Sequence, residues 1–258
     1  MQNRIDQLFA KKQHGVLNIY CTAGFPQLND TLPVMTALQQ HGADLIELGM
    51  PFSDPLADGP VIQDSSTKAL QNGMSIHTLF EQLAGFRERI HVPVILMGYF
   101  NPVLTYGVEA FCAKCAETGI DGIIVPDLPM AEFEADYKPI FEKYNLHLIF
   151  LVTPETSEAR IRKIDSLSKG FLYAVSSSST TGKDKDMNDQ QAYFERLKKL
   201  QLTNPVLIGF GIKDKATFDT AASYANGAII GTAFIKAIEH SKDIDKTVQS
   251  FISGIIQQ

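Results

Sequence analysis

Short, almost wholly apolar runs alternate with longer stretches of helical periodicity along the whole chain. The apolar runs fall at residues 17–21, 44–48, 94–97, 122–125, 147–152, 171–175, 206–209 and 228–230. Each has the length of a strand. Strands that are apolar at nearly every position are buried on both faces, as in a parallel sheet covered by helices. Between them, residues 75–90 carry Ile76, Leu79, Phe80, Leu83 and Phe86 at helical spacing, and residues 192–200 repeat the pattern. Asn29 or Asp30, Ser75, Ser157 and Asp189 stand where helices should start, and their short polar side chains suit N-caps. Residues 1–10 predict one further amphipathic helix ahead of the first strand, with Arg4 and Asp6 breaking any longer apolar stretch.

Strands alternating with helices predict an α/β fold with a parallel sheet. Eight such units in about 250 residues is the size of a (β/α)8 TIM barrel. The competing architecture is a doubly wound open sheet, but no G-x-G-x-x-G follows the first strand. No Pro/Gly-rich linker divides the chain. The expectation is a single (β/α)8 barrel domain over residues 1–258, with an extra N-terminal helix.

Two connections are long: residues 49–59, GMPFSDPLADG, and residues 176–188, SSSSTTGKDKDMN. Both follow strands, so both lie at the C-terminal face of the barrel, where barrel enzymes do their chemistry. Glu47 is the sharpest candidate there. Alternation puts Leu45 and Glu47 on one face of the second strand and the apolar pair Ile46 and Leu48 on the other. The apolar pair suits the helices outside, so Glu47 points into the barrel mouth. Burial there raises a carboxyl pKa and prepares it for proton transfer near neutral pH.

Asp54 and Asp58 lie in the following loop, close enough for one of them to join Glu47. Turn chemistry accounts for either equally well, since Asp-Pro, Asp-Gly and a helix-opening Pro60 all occur there. After the last two strands, Gly209-Phe210-Gly211 and Gly231-Thr232 let backbone N–H groups approach an anion closely, and barrels often bind phosphate at these two loops. Gly182 in the long loop can add another N–H.

Composition narrows the function further. A net charge of −6 is a poor match for general nucleic-acid binding. Three cysteines make no disulfide framework, and the C-x-x-C at Cys112 and Cys115 has no second pair to complete a zinc site. The six histidines form no ligand-spaced cluster, and the serine run 176–179 lacks a nucleophile elbow. No metal is expected. The N-terminus does not read as a secretory signal and no apolar run approaches a membrane span, so a soluble, cytoplasmic protein is expected.

These residues also carry a resemblance. ELGMPFSDPLADGP (47–60), MGYFNPVLTYG (97–107), VPDLP (125–129), GFGI (209–212) and GAIIGTAFIK (227–236) resemble, in order, segments of the tryptophan synthase alpha chain family. The resemblance covers essentially the whole chain. It implies cleavage of indole-3-glycerol phosphate to indole and glyceraldehyde 3-phosphate, a retro-aldol reaction that needs no cofactor in this chain. It implies Glu47 as general acid/base and Asp58 as the group that stabilises the indole nitrogen, leaving Asp54 as an interface residue. The indole pocket would be lined by Tyr20, Met97, Ile124, Leu151, Tyr173 and Phe210. Gly182, Gly211, Gly231 and Thr232 would hold the phosphate, and Thr181 would bond Asp58 when the 176–188 loop closes.

The same resemblance implies a pyridoxal-phosphate beta chain as partner in an alpha2beta2 complex, met through the loop from Pro51 to Pro60 and the Asn101-Pro102 segment. Two departures stand out. Residues 179–182 read Ser-Thr-Thr-Gly where the family often has Gly-Val-Thr-Gly, and Thr232 stands where Ser is common. Two alternatives are a catalytically silent regulatory barrel and another phosphate-binding barrel enzyme of aromatic or histidine biosynthesis. Retention of Glu47 and Asp58 counts against the first. The absence of a strand-end lysine in the mouth counts against an indole-glycerol phosphate synthase. The chain has no Trp, so the aromatic walls of an indole pocket must come from Tyr and Phe.

Overall fold

The computed structural model describes residues 2–175, 187–209 and 211–256. Its strands are β1 (Val16–Thr22), β2 (Leu45–Gly49), β3 (Val94–Met97), β4 (Gly122–Ile124), β5 (His147–Ile149), β6 (Leu151–Val152), β7 (Leu172–Val175), β8 (Val206–Gly209) and β9 (Gly227–Ile230). All pair in parallel, in the order β5-β4-β3-β2-β1-β9-β8-β7-β6. β5 and β6 are two halves of the run expected as one strand at 147–152, separated only by Phe150. The first half pairs with β4 and the second with β7, and the Phe150 carbonyl accepts from Tyr173 N at 3.0 Å. The stagger of a barrel shifts this stave from one neighbour to the other along its length. The ring therefore closes through it, and the eight expected strands become eight staves, one of them broken.

Side-chain alternation separates two cores. Leu17, Ile19, Ile46 and Leu48 point outward and pack under the helices. Val16, Leu45, Ile95, Ile124, Ile149 and Leu207 point inward and fill the barrel. The helices that position the site are α1 (Arg4–Lys11), α2 (Thr31–His41), α3 (Pro60–Gln71), α4 (Ile76–Gln82), α5 (Phe100–Tyr106) and α6 (Val108–Thr118). After these come α7 (Met130–Glu132), α8 (Lys138–Lys143), α9 (Glu158–Leu167), α10 (Met187–Lys199), α11 (Lys215–Tyr224), α12 (Thr232–Ile238) and α13 (Ile244–Ile256).

Local expectations held in part. The side chains of Ser75 and Ser157 cap α4 and α9, accepting from Thr78 N at 3.1 Å and Arg160 N at 3.4 Å. The helix expected over 75–90 ends at Gln82, because Gly85 takes φ +71° and the chain resumes only as a single 3-10 turn. Asp30 precedes α2 in a helical conformation, so its carboxylate turns back to accept from Gln27 N at 3.1 Å instead of capping α2. Asp189 is no cap: α10 starts two residues before it.

The extra helix α1 closes the N-terminal end of the barrel. Ile5 and Phe9 join the inner core from below. Asn3 caps α1 through Ile5 N at 2.9 Å and donates to the Asp121 carbonyl at 2.8 Å. The buried Asp121 carboxylate then ties the end together. It accepts from Arg4 at 3.0 Å, from Arg87, and from Val94 N at 2.9 Å. His147 adds a 2.9 Å contact to Asp6. Removing the acid would leave Arg87 half-stranded and Val94 N unpaired. Asp121→Ala should therefore lose about 3–5 kcal/mol in urea unfolding. Because this end is remote from the mouth, the variant should keep its turnover below its melting range.

Candidate active site

β2 sets Glu47 in register with Tyr20 on β1 and Ile95 on β3, on the inward face above the apolar core. Glu47 is 1% exposed. Its Oε2 accepts from Asn18 Nδ2 at 3.0 Å. Burial pushes its pKa from 4.5 up to about 8; the Asn18 hydrogen bond opposes the rise and the nearby Asp58 adds to it.

Asp58 ends the long β2–α3 loop, two residues before Pro60 opens α3. Tyr99, at the start of α5, clips this loop to the neighbouring stave. Its hydroxyl accepts from Ala57 N at 2.9 Å and donates to Asp58 Oδ2 at 3.1 Å. Gln63 Nε2 donates to the Asp58 carbonyl at 2.9 Å. Burial raises the Asp58 pKa from 3.8 to about 6, against the lowering effect of the Tyr99 bond. Spacing left Asp54 and Asp58 equal. In the structure Asp58 lines the cavity, whereas Asp54 is exposed and accepts a hydrogen bond from the Ser53 hydroxyl.

Glu47 and Asp58 share one open cavity in the barrel mouth. Tyr20, Met97 and Tyr173 form its walls, with Gly211, Gly231 and Thr232 along one side. The tyrosine rings fit because the inward positions beside them are glycines. A Cβ on Gly49 would lie 2.1 Å from the Tyr20 hydroxyl, and one on Gly209 2.4 Å from that of Tyr173. Gly211 takes φ +77°, a left-handed turn that an L side chain resists.

Ile124 and Leu151 do not line this cavity. Ile124 is fully buried in the inner core, in register with Met97 across β3 and β4, and Leu151 packs against that core in register with Tyr173. Thr181, Gly182 and Phe210 lie outside the described residues. Sequence reasoning missed Asn18, Tyr99, Ile62 and Ile212. Asn18 was within reach, since alternation places it on the face of Tyr20. Tyr99 carried no such signal: its contact to Asp58 spans 41 residues, across α3, α4 and β3.

Cys112 and Cys115 are buried on α6 in the outer core, and burial pushes the Cys112 thiol up to about 12. Among the described residues no group of three or more His, Cys, Asp or Glu stands ready to hold a metal ion. Among the same residues no helix is long and apolar enough to cross a membrane.

Two carboxyl groups of different proton affinity share a mostly apolar cavity beside a glycine-lined rim, at the end of a (β/α)8 barrel where enzymes of this class hold their sites. The family follows from comparison with known proteins. A family model described as tryptophan synthase alpha chain matches residues 7–255. The chain belongs to that family, whose reaction is the cleavage of indole-3-glycerol phosphate in tryptophan biosynthesis.

The tryptophan synthase alpha chain of Christiangramia forsetii is 56% identical over 254 residues, covering 98% of each chain. That of Parabacteroides distasonis is 50% identical over 256 residues, covering 99% of this chain and all of the relative. Among solved structures, the alpha subunit from Legionella pneumophila superposes with a TM-score of 0.89 at 33% identity, covering 99% of this chain and 97% of its own. Tryptophan synthase from M. tuberculosis in an aminoacrylate-bound form gives 0.85 at 29%, covering 98% and 99%.

A raised carboxyl pKa weakens the fold. Between pH 4.5 and about 8 the unfolded chain has released the Glu47 proton while the native chain keeps it. The unfolded state then binds fewer protons, so stability falls as pH rises through this window, by on the order of 1 kcal/mol per pH unit. Glu47→Gln removes that contribution. Urea unfolding of both proteins from about pH 5 to about pH 8 should show the variant gaining on the parent as pH rises.

Proposed function

We propose that Glu47 is the general acid/base of the lyase reaction and Asp58 the group that steadies the indole nitrogen. The observation that carries this is the sharing of one largely apolar cavity by two carboxyls, Glu47 at about 8 and Asp58 at about 6. Near neutral pH the first is protonated and the second ionised. Protonated Glu47 gives its proton to C3 of the indole ring, which turns the ring into an electron sink. Positive character develops at the indole nitrogen, where the Asp58 carboxylate meets it. The bond from C3 to the glycerol carbon then breaks, its electrons restore the indole, and Glu47 recovers a proton from the glycerol hydroxyl as the aldehyde forms. The delivered proton stays on C3, so the enzyme ends as it began, and the step asks for no cofactor from this chain.

Tyr20, Met97 and Tyr173 supply walls suited to a bicyclic ring, with Ile124 and Leu151 in register beside Met97 and Tyr173, and Phe210 would add a further wall. Gly211, Gly231 and Thr232 would bind the phosphate with backbone N–H groups and a hydroxyl, joined by Gly182. Thr181 would bond Asp58 as the 176–188 loop closes.

The protein is proposed to act as a single cytoplasmic barrel domain beside a pyridoxal-phosphate beta chain in an alpha2beta2 complex. Support for the contact comes from the surface. Leu56, 84% exposed, sits in the Pro51-to-Pro60 loop, and Leu104, 47% exposed, follows Asn101-Pro102. The Phe52 and Tyr99 rings, 5.2 Å apart, stack between the two segments. Exposed apolar groups gathered in this way mark an interaction surface.

Glu47→Gln should bind indole-3-glycerol phosphate normally and lose about 10²–10⁴-fold in indole release. Near-normal turnover would overturn the assignment. Assaying the isolated chain with and without a beta chain separates a catalytic from a silent regulatory subunit. The pH dependence has a sign: activity should rise as Asp58 ionises through about 6 and fall as Glu47 loses its proton through about 8, giving a bell in kcat/KM.

A further inference from the structure

Asn18 is fully buried in β1, on the inward face that also carries Val16 and Tyr20. Its Nδ2 donates to Glu47 Oε2 at 3.0 Å. Its Oδ1 has no hydrogen-bond partner among the described residues. Among the described residues the amide's one hydrogen bond goes to Glu47. A buried carbonyl oxygen left unpaired costs stability, so an apolar side chain would serve the fold better here. Among the described residues the other carboxylate oxygen, Oε1, accepts no hydrogen bond, and Glu47 lines the cavity.

We propose that Asn18 is a positioning residue: by keeping a donor on Oε2 it turns the Glu47 carboxyl so that the transferable proton is held on, and returned to, Oε1. A carboxyl with an N–H on one oxygen carries its proton on the other, because the first oxygen is then already acting as acceptor. The same N–H strengthens its bond when the carboxyl ionises. Asn18 thus holds one geometry through both halves of the turnover and itself exchanges no proton. This rests on the acid/base reading of Glu47.

The groups that bear on Glu47 are Asp58 from the β2–α3 loop, Tyr20 and Cys21 on β1 and Tyr173 on β7. All four remain in an Asn18 variant, so a shift there reports the amide.

The test uses Asn18→Leu, close in shape but without the donor, and Asn18→Asp, which regains a donor only when protonated. At about pH 5, where Glu47 is protonated in either protein, Asn18→Leu should be at least as stable as the parent. The Glu47 midpoint should move up by about one to two pH units. It is read from the infrared carbonyl band that vanishes in Glu47→Gln, and from the alkaline limb of kcat/KM. The kcat should fall about 10- to 10²-fold with KM nearly unchanged, and Asn18→Asp should recover part of it toward acid pH.

A purely structural asparagine gives the opposite set: lost stability with the midpoint in place. That result, or an unmoved midpoint with normal kcat, overturns the proposal. The infrared titration needs no turnover. A failure of the acid/base reading, seen as an active Glu47→Gln, is therefore distinguishable from a failure of this one.

Discussion

The structure turns on keeping water away from one carboxyl group. Glu47 sits on a column of apolar side chains, and burial is the leading cause of its raised proton affinity. That desolvation needs a barrel sealed from below. α1 provides the seal with Ile5 and Phe9, and the Asp121 network fastens α1 to the staves. The two ends of the barrel therefore divide the work. The closed end sets the dielectric in which the open end operates, without any residue at the bottom touching a ligand.

The mouth solves a packing problem by pairing residues of opposite size. A chain without Trp has only Tyr and Phe for aromatic walls, and a tyrosine pointing into a barrel needs an empty neighbour. Gly49 lies beside Tyr20 and Gly209 beside Tyr173, each with no room for a Cβ. Tyr99 adds the third constraint, fixing the loop that carries Asp58 to the start of α5 through both its lone pair and its proton.

Strand positions were legible in the sequence because a parallel barrel buries both faces of each stave, which leaves runs too apolar to be anything else. The direction of Glu47 was legible from period two alone, and Leu45 in the inner core with Ile46 in the outer one bears that out. The break at Phe150 was not legible. It comes from the stagger of the closed ring, a property of eight strands together. The end of α4 hung on Gly85 adopting a left-handed turn, which a glycine permits but does not require. Spacing alone did not separate Asp58 from Asp54, since turn residues four apart look alike; the family resemblance favoured Asp58, and it is Asp58 that lines the cavity and meets Tyr99.

The tyrosine walls raise a chemical question, since two phenols share the cavity with the group proposed to exchange protons. Burial and the nearby carboxyls push the acidities of Tyr20 and Tyr173 well above the ordinary tyrosine range. Both rings therefore stay neutral wherever Glu47 titrates. The order of proton affinity in the cavity runs from Asp58, through Glu47, to the tyrosines, with burial acting on each and the two carboxyls near enough to influence one another. Neutral pH falls between the titrations of Asp58 and Glu47, and Glu47 is the one that meets Asn18. Graded burial thus spaces the proton affinities of the groups in the cavity, with no special chemistry asked of any one residue.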